Sequence, residues 1–152
     1  MWMLRRQAAA ATLASLLLAC SLTPDNIDPD ARVELRAADI VPFEGAVEMV
    51  DSKGESIWVA PTPALETADL SYVDVHLDDF GQHGVMFFFN DGGARKMEAL
   101  SEAQLTKKVA LLIDGELISA PVVQGVISDT MAMTGGWSHD EARLIVERVE
   151  ID

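Results

Sequence analysis

The chain of 152 residues carries 25 acidic side chains against 11 basic ones, a net charge of -14, and a single cysteine. So large a negative excess repels phosphate and excludes nucleic acid and anionic lipid headgroups as partners. One thiol closes no intrachain disulfide, so the fold has to rest on a packed core.

The chain begins "MWMLRRQAAAATLASLLLAC", with Arg5 and Arg6 ahead of an apolar run of 12 residues from Ala8 to Ala19. That is shorter than the roughly 18 residues a spanning helix needs, and it reads as a secretory signal over residues 1–19. No later apolar run approaches spanning length. Leu17, Leu18 and Ala19 directly precede Cys20 and resemble the bacterial lipobox. By that resemblance Cys20 becomes the acylated N-terminus, with palmitate-type chains as the membrane anchor. Two acyl chains are enough for stable attachment. Ser21 follows, and a residue other than Asp there resembles the outer-membrane sorting signal rather than the inner-membrane one. The expected location is therefore the bacterial cell envelope, with the domain facing the periplasm. Residues 20–31 include "SLTPDNIDPDA", polar and interrupted by two prolines, and read as lipidated N-terminus and tether. Residues 32–152 are then one domain.

Within that domain, strands are expected at 32–41, 56–61, 71–77 and 84–89. The third alternates Tyr72, Asp74 and His76 with Val73, Val75 and Leu77, the period of a half-buried strand. After "VMFFFN" the period changes: Asn90 or Asp91 caps a helix with Ala94, Met97 and Leu100 on one face. Two strands, 109–113 and 116–120, flank Asp114-Gly115, a pair favoured in two-residue type I′ hairpins. Pro121 withholds a backbone donor and is expected to end their pairing. A strand at 131–134 ends at Gly135-Gly136. A second helix follows, with Ser138 and Glu141 as a capping box and Trp137 placed as a hydrophobic staple on Ala142. Its apolar stripe is Ala142, Ile145, Val146 and Val149.

The expected class is α+β, a mainly antiparallel sheet with two helices on one face and a ferredoxin-like strand and helix order in the C-terminal half. "VMFFF" and "VALLI" are continuous apolar runs, as in strands covered on both faces. The helices cover one face; the N-terminal strands or a partner protein must shield the other.

The chemistry-bearing residues are sparse. His76, His83 and His139 lack the close spacing of metal ligands, and the nearest cluster, His76 with Asp78, Asp79 and His83, reads as a strand end and turn. Met86, Met97, Met131 and Met133 lie at core-filling positions. There is no G-x-S-x-G elbow, the Ser138 hydroxyl is already used in a cap, and Gly92-Gly93 lacks the Lys-Ser/Thr of a phosphate loop. No catalytic set emerges, no cofactor or metal is implied, and the expectation is a non-enzyme.

One resemblance gathers these elements. The stretch from Phe87 to Val149 resembles the head subdomain of the first periplasmic domain of SecD, part of the SecDF protein-export complex. The family pattern stands here as Phe89, Gly93, Ala94 and Met97; then Ile113, Asp114, Gly115, Ala120 and Pro121. A third block holds Met133, Thr134, Gly135, Trp137, Ser138, Glu141 and Ala142. Thr106 and Asp129 depart from it, standing where the family often has glycine. SecD's membrane helices, with their proton-coupling charges, have no counterpart in this chain, so no motor activity is expected of it. The resemblance implies a SecD-head-like lipoprotein that contacts unfolded polypeptide or export machinery in the periplasm without catalysis. Two alternatives stand beside it: a structural envelope lipoprotein that keeps only the fold, and a small hydrolase.

Overall fold

The computed structural model describes residues 25–151. The described residues form, in order, β1 (Val33–Asp39), β2 (Val47–Val50), β3 (Ser56–Val59), β4 (Leu65–Glu66) and a 3-10 turn (Thr67–Asp69). Then come β5 (Leu70–Leu77), β6 (His83–Phe89), α1 (Asp91–Ala103), β7 (Lys108–Ile113), β8 (Glu116–Ser119), β9 (Thr130–Trp137) and α2 (His139–Glu147). Every pairing between these strands is antiparallel. The α+β class and the two helices are as the sequence indicates; β2 and the short β4 are additions to it.

The strands divide into two hydrogen-bonded sheets where the sequence suggested one. The larger runs β2-β3-β1-β7-β8 with β4 also on β1, and the smaller runs β5-β6-β9. The chain crosses between the sheets at the 3-10 turn, at α1 and again between β8 and β9. It leaves β6 through α1 and returns as β7, which pairs with β1 over six positions from Val33↔Ile113 to Ala38↔Lys108.

Local sequence explains the helices. Asn90 caps α1, its Oδ1 accepting from the Gly93 N–H at 2.9 Å, and Met97 and Leu100 are buried on one face. Ala142, Ile145 and Val146 are the buried stripe of α2. These helix positions meet the inner faces of both sheets in one core that includes Leu35, Val85, Phe87 and Leu111.

A second, smaller core lies on the other face of the larger sheet. β7 alternates between the two: Val109, Leu111 and Ile113 enter the main core, while Ala110 and Leu112 join Ala38, Ile57, Val59 and Leu117. The continuous apolar run is thus shielded on its second face by the N-terminal strands. The sheet does this by curling. On a flat sheet β2 and β8 would lie about 19 Å apart, four strand spacings, yet the β2–β3 turn and the end of β8 line one groove.

The packed chain also starts earlier than Arg32. Residues 26–31, expected in the tether, lie on the domain: Ile27 is buried in the main core and bridges to Glu150. A polar sequence with one isoleucine offers no periodicity from which to read this.

Candidate functional site

Each motif residue has a structural position. Asp114 and Gly115 have φ of 52° and 79° and join Ile113 to Glu116 across a two-residue turn. Both angles lie in the left-handed region, which glycine enters freely and aspartate tolerates. Arg148, at the end of α2, clasps this hairpin: it reaches the Asp114 carboxylate at 3.7 Å, the Glu116 carboxylate at 3.1 Å and the Ile113 carbonyl at 3.2 Å. Asp114 is therefore a turn residue with a surface ion pair.

Pro121 does not end the hairpin's pairing. Its carbonyl accepts from the Val109 N–H at 3.1 Å, and bridges continue at Lys108↔Val122 and Leu105↔Val123. Pro121 stands opposite Val109 and still accepts from it, so the missing donor costs only the one reciprocal bond of that pair; the register shift between Leu111 and Leu112 falls earlier, at Ile118. Likewise Gly135 and Gly136 do not end a strand but bulge within β9, which runs on to pair Trp137 with His83. The Trp137 indole lies over Gly135; a Cβ there would stand 2.5 Å from its Cε2. Ser138 Oγ accepts from the Glu141 N–H at 3.2 Å, and Glu141 Oε2 accepts from the Ser138 N–H at 2.7 Å. The hydrogen bonds from the backbone and side chain of Ser138 hold the Glu141 carboxyl below the ordinary glutamate range. Cys20 lies outside the described residues.

Two buried carboxylates escaped the sequence reading, and both serve the fold. Glu34 sits between Arg32 and Arg36 on one strand face, 2.7 Å from the Arg36 guanidinium. The alternation Arg-x-Glu-x-Arg was its signal. Asp69 receives the Lys96 ammonium at 2.7 Å and the Glu66 N–H at 2.9 Å, tying the 3-10 turn to α1. Its partner is 27 positions away in sequence, so no local pattern revealed it.

The histidines divide. His83 and His139 stack edge to face with ring centroids 5.3 Å apart, whereas His76 is on β5 and alternates away from the face that Leu77 shares with His83. Asp78 turns the β5–β6 hairpin, accepting from the N–H groups of Phe80 and Gln82 at 2.9 and 2.8 Å. Among the described residues no three His, Cys, Asp or Glu side chains converge as metal ligands.

What remains exposed and unassigned is apolar. A groove of about 260 Å³ lies between Met131 and Ala132 of β9 and the segment 121–127, with Val122, Val123 and Val126 in its wall. Val122 and Val126 are 48% and 52% exposed. A second groove, of about 190 Å³, is polar, bounded by Asp51, Lys53, Lys108, Ser119 and Trp137. There Asp51 accepts from the N–H groups of Glu55 and Lys53, both at 2.9 Å. Those bonds, the one from Glu55 foremost, keep its carboxyl below the usual aspartate range. The polar groove holds turn chemistry and the apolar one holds surface without a partner. That surface is suited to contact, not to proton transfer or nucleophilic attack.

A curled antiparallel sheet, a second small sheet and two helices in this order form the head fold seen in solved SecDF structures. SecDF in the super-membrane-facing form superposes with a TM-score of 0.60 at 24% identity, covering 78% of this chain and 18% of that one. A structure of SecDF, a membrane component that enhances protein export, gives 0.59 at 23% identity over 82% of this chain and 62% of that one. Sequence carries the relation beyond fold: the family model "SecDF, P1 head subdomain" matches residues 42–146, and the chain belongs to that family. The protein translocase subunit SecD of Aquifex aeolicus is 32% identical over 98 residues, 63% of this chain and 20% of its own length. The translocase subunit SecDF of Thermus thermophilus is 33% identical over 79 residues, 52% of this chain and 11% of its own. The chain therefore spans a fifth or less of these relatives. No helix among its described residues is long and apolar enough to cross a membrane.

Proposed function

We propose that the protein is a non-catalytic cell-envelope lipoprotein whose SecD-like head domain contacts polypeptide, or the export machinery that handles it, on the periplasmic side. Membership of the P1 head family over residues 42–146 carries this reading. The placement of the motif residues supports it: Gly93, Asp114, Gly115, Gly135, Ser138 and Glu141 are engaged in turns, close packing and caps, so what they maintain is a shape. The exposed apolar groove beside β9 supplies a surface on which an unfolded chain loses water from its own apolar groups.

Residues 1–19 are the signal and Cys20 the lipid attachment site, in the outer membrane rather than the inner one. Asn26, bonded to Val73 of the domain, follows Cys20 by six positions in the sequence, so the anchor holds the domain close to the membrane surface. Motor activity is not part of the reading; the domain contacts, and other proteins do the work of translocation. Two measurements test it. Cys20→Ser abolishes incorporation of labelled palmitate and releases the protein from membranes; undiminished labelling refutes the anchor. A photo-crosslinker at Gln124, in the wall of the apolar groove, captures envelope polypeptides or export components in living cells. Repeated recovery of no protein adduct refutes the contact.

A further inference from the structure

The two edges of the small sheet differ. On β5 the outward groups at the middle of the edge are taken by side chains: Asn26 Nδ2 donates to the Val73 carbonyl at 2.8 Å, its Oδ1 accepts from the Val73 N–H at 2.9 Å, and Asp74 Oδ1 accepts from the Val75 N–H at 2.7 Å. The Asn26 amide performs the exchange a neighbouring strand would perform. Ile27 is buried beside it, Asp28 N–H donates to the Val149 carbonyl at 2.8 Å, and Ile151 N–H donates to the Asn26 carbonyl at 2.9 Å.

β9 has no such cover. Phe89 N–H donates to the Asp129 carbonyl at 2.9 Å, and the same register runs from Phe88↔Thr130 to Gly84↔Thr134. Bonded and non-bonded pairs alternate along an antiparallel ladder. Met131 and Met133 therefore turn their backbone groups to β6, and Thr130, Ala132 and Thr134 turn theirs outward. Among the described residues these outward donors and acceptors have no protein partner. The open edge borders the apolar groove, whose wall Ala132 itself lines.

We propose that an extended polypeptide segment adds to β9 as a further strand. Its backbone bonds to Thr130, Ala132 and Thr134, and its apolar side chains enter the groove against Val122, Val123 and Val126. This rests on the polypeptide-contact reading and gives it a site and a mode. Donors and acceptors repeating at every second residue match a peptide backbone, the basis of strand addition elsewhere. None of the groove's lining residues is ionisable, so the entering segment is uncharged there. Its flanks are basic, because the chain's -14 charge draws cations and repels a second copy of itself.

The test uses the full-length chain and a fluorescent peptide of alternating Val and Thr with Lys at each end, read by anisotropy. Ala132→Pro removes an outward N–H while sparing every bond to β6. It weakens binding about tenfold, the loss expected from one or two hydrogen bonds, with circular dichroism unchanged. N-methylation of alternate peptide amides has the same effect, and so does Val126→Asp, which leaves β9 intact. Wild-type affinity in these variants, or no binding of the peptide by wild type, overturns strand addition. So does a dimer that Ala132→Pro dissociates, which assigns the edge to a second copy. A reduced, carboxymethylated protein bound equally by wild type and Ala132→Pro overturns the mode while polypeptide contact stands. The same protein left unbound by wild type overturns both.

Discussion

Gly93 has no side chain because none fits. A Cβ on it would run into the carbonyl oxygen of Asp69, where α1 and the 3-10 turn approach most closely. That approach lets the Asn90 amide donate to Ala68 at 2.7 Å and Lys96 reach Asp69. The obstruction is backbone, which cannot swing aside like the end of a long side chain. Gly93→Ala is therefore expected to lower stability by about 2 kcal/mol, measured as a shift in the urea midpoint at constant slope. The sequence marked Gly93 as a family position; only its neighbour in space gives the reason. The same holds for Gly135, whose neighbour is the Trp137 ring. Gly115 differs, because Asp-Gly between two apolar runs already states a turn that needs positive φ.

At the scale of elements, what was legible was local. The capping box of α2 uses groups three residues apart, so Ser138 and Glu141 reveal it in sequence. It also carries a pH signature. Glu141 is held below its ordinary value by its bonds to Ser138, so its carboxylate stabilises the fold fully above the unfolded pKa of about 4.3. That contribution fades as the pH falls through the lowered folded value. Glu141→Gln keeps the hydrogen bond and removes the charge. The stability difference between wild type and this variant is expected to be present near neutrality and to shrink below about pH 4.3, as followed by denaturation across an acid series. A difference that stays constant to the lowest pH would refute the assignment. The segment around Ile27 shows the opposite case, since its role depends on β5 and the C-terminal residues beyond α2. Ile27→Ala is expected to cost about 2 kcal/mol, and hydrogen exchange at Val73 should rise with it.

For the whole molecule, the deciding feature is the curl of the larger sheet. It gives β7 two buried faces and creates the second core around Leu112, which is 3% exposed. Leu112→Ala is expected to destabilise by about 3 kcal/mol, as a Leu→Ala change does in a core that cannot collapse, and a thermal melt measures it. A cost below about 0.5 kcal/mol would mean that this face behaves as surface. The curl also leaves the groove between segment 121–127 and β9, since β8 and β9 belong to different sheets.

The amino-acid sequence by itself determined the two helices and their caps, the Asp114-Gly115 turn, the alternation of the main strands, the class of fold and the family. Each depends on residues a few positions apart, or on short blocks that keep their spacing. Tertiary structure alone decided that β7 pairs with β1 while β6 pairs with β9, and that Ile27 belongs to the core. It also decided that Glu34 and Asp69 are buried carboxylates held by basic partners, and that one edge of the small sheet stays open beside an apolar groove. The physical reason is that apolar periodicity records that a face is buried, and does not record against what. Strand partners are chosen by the packing of the whole chain, and a groove exists only where two such choices leave a gap.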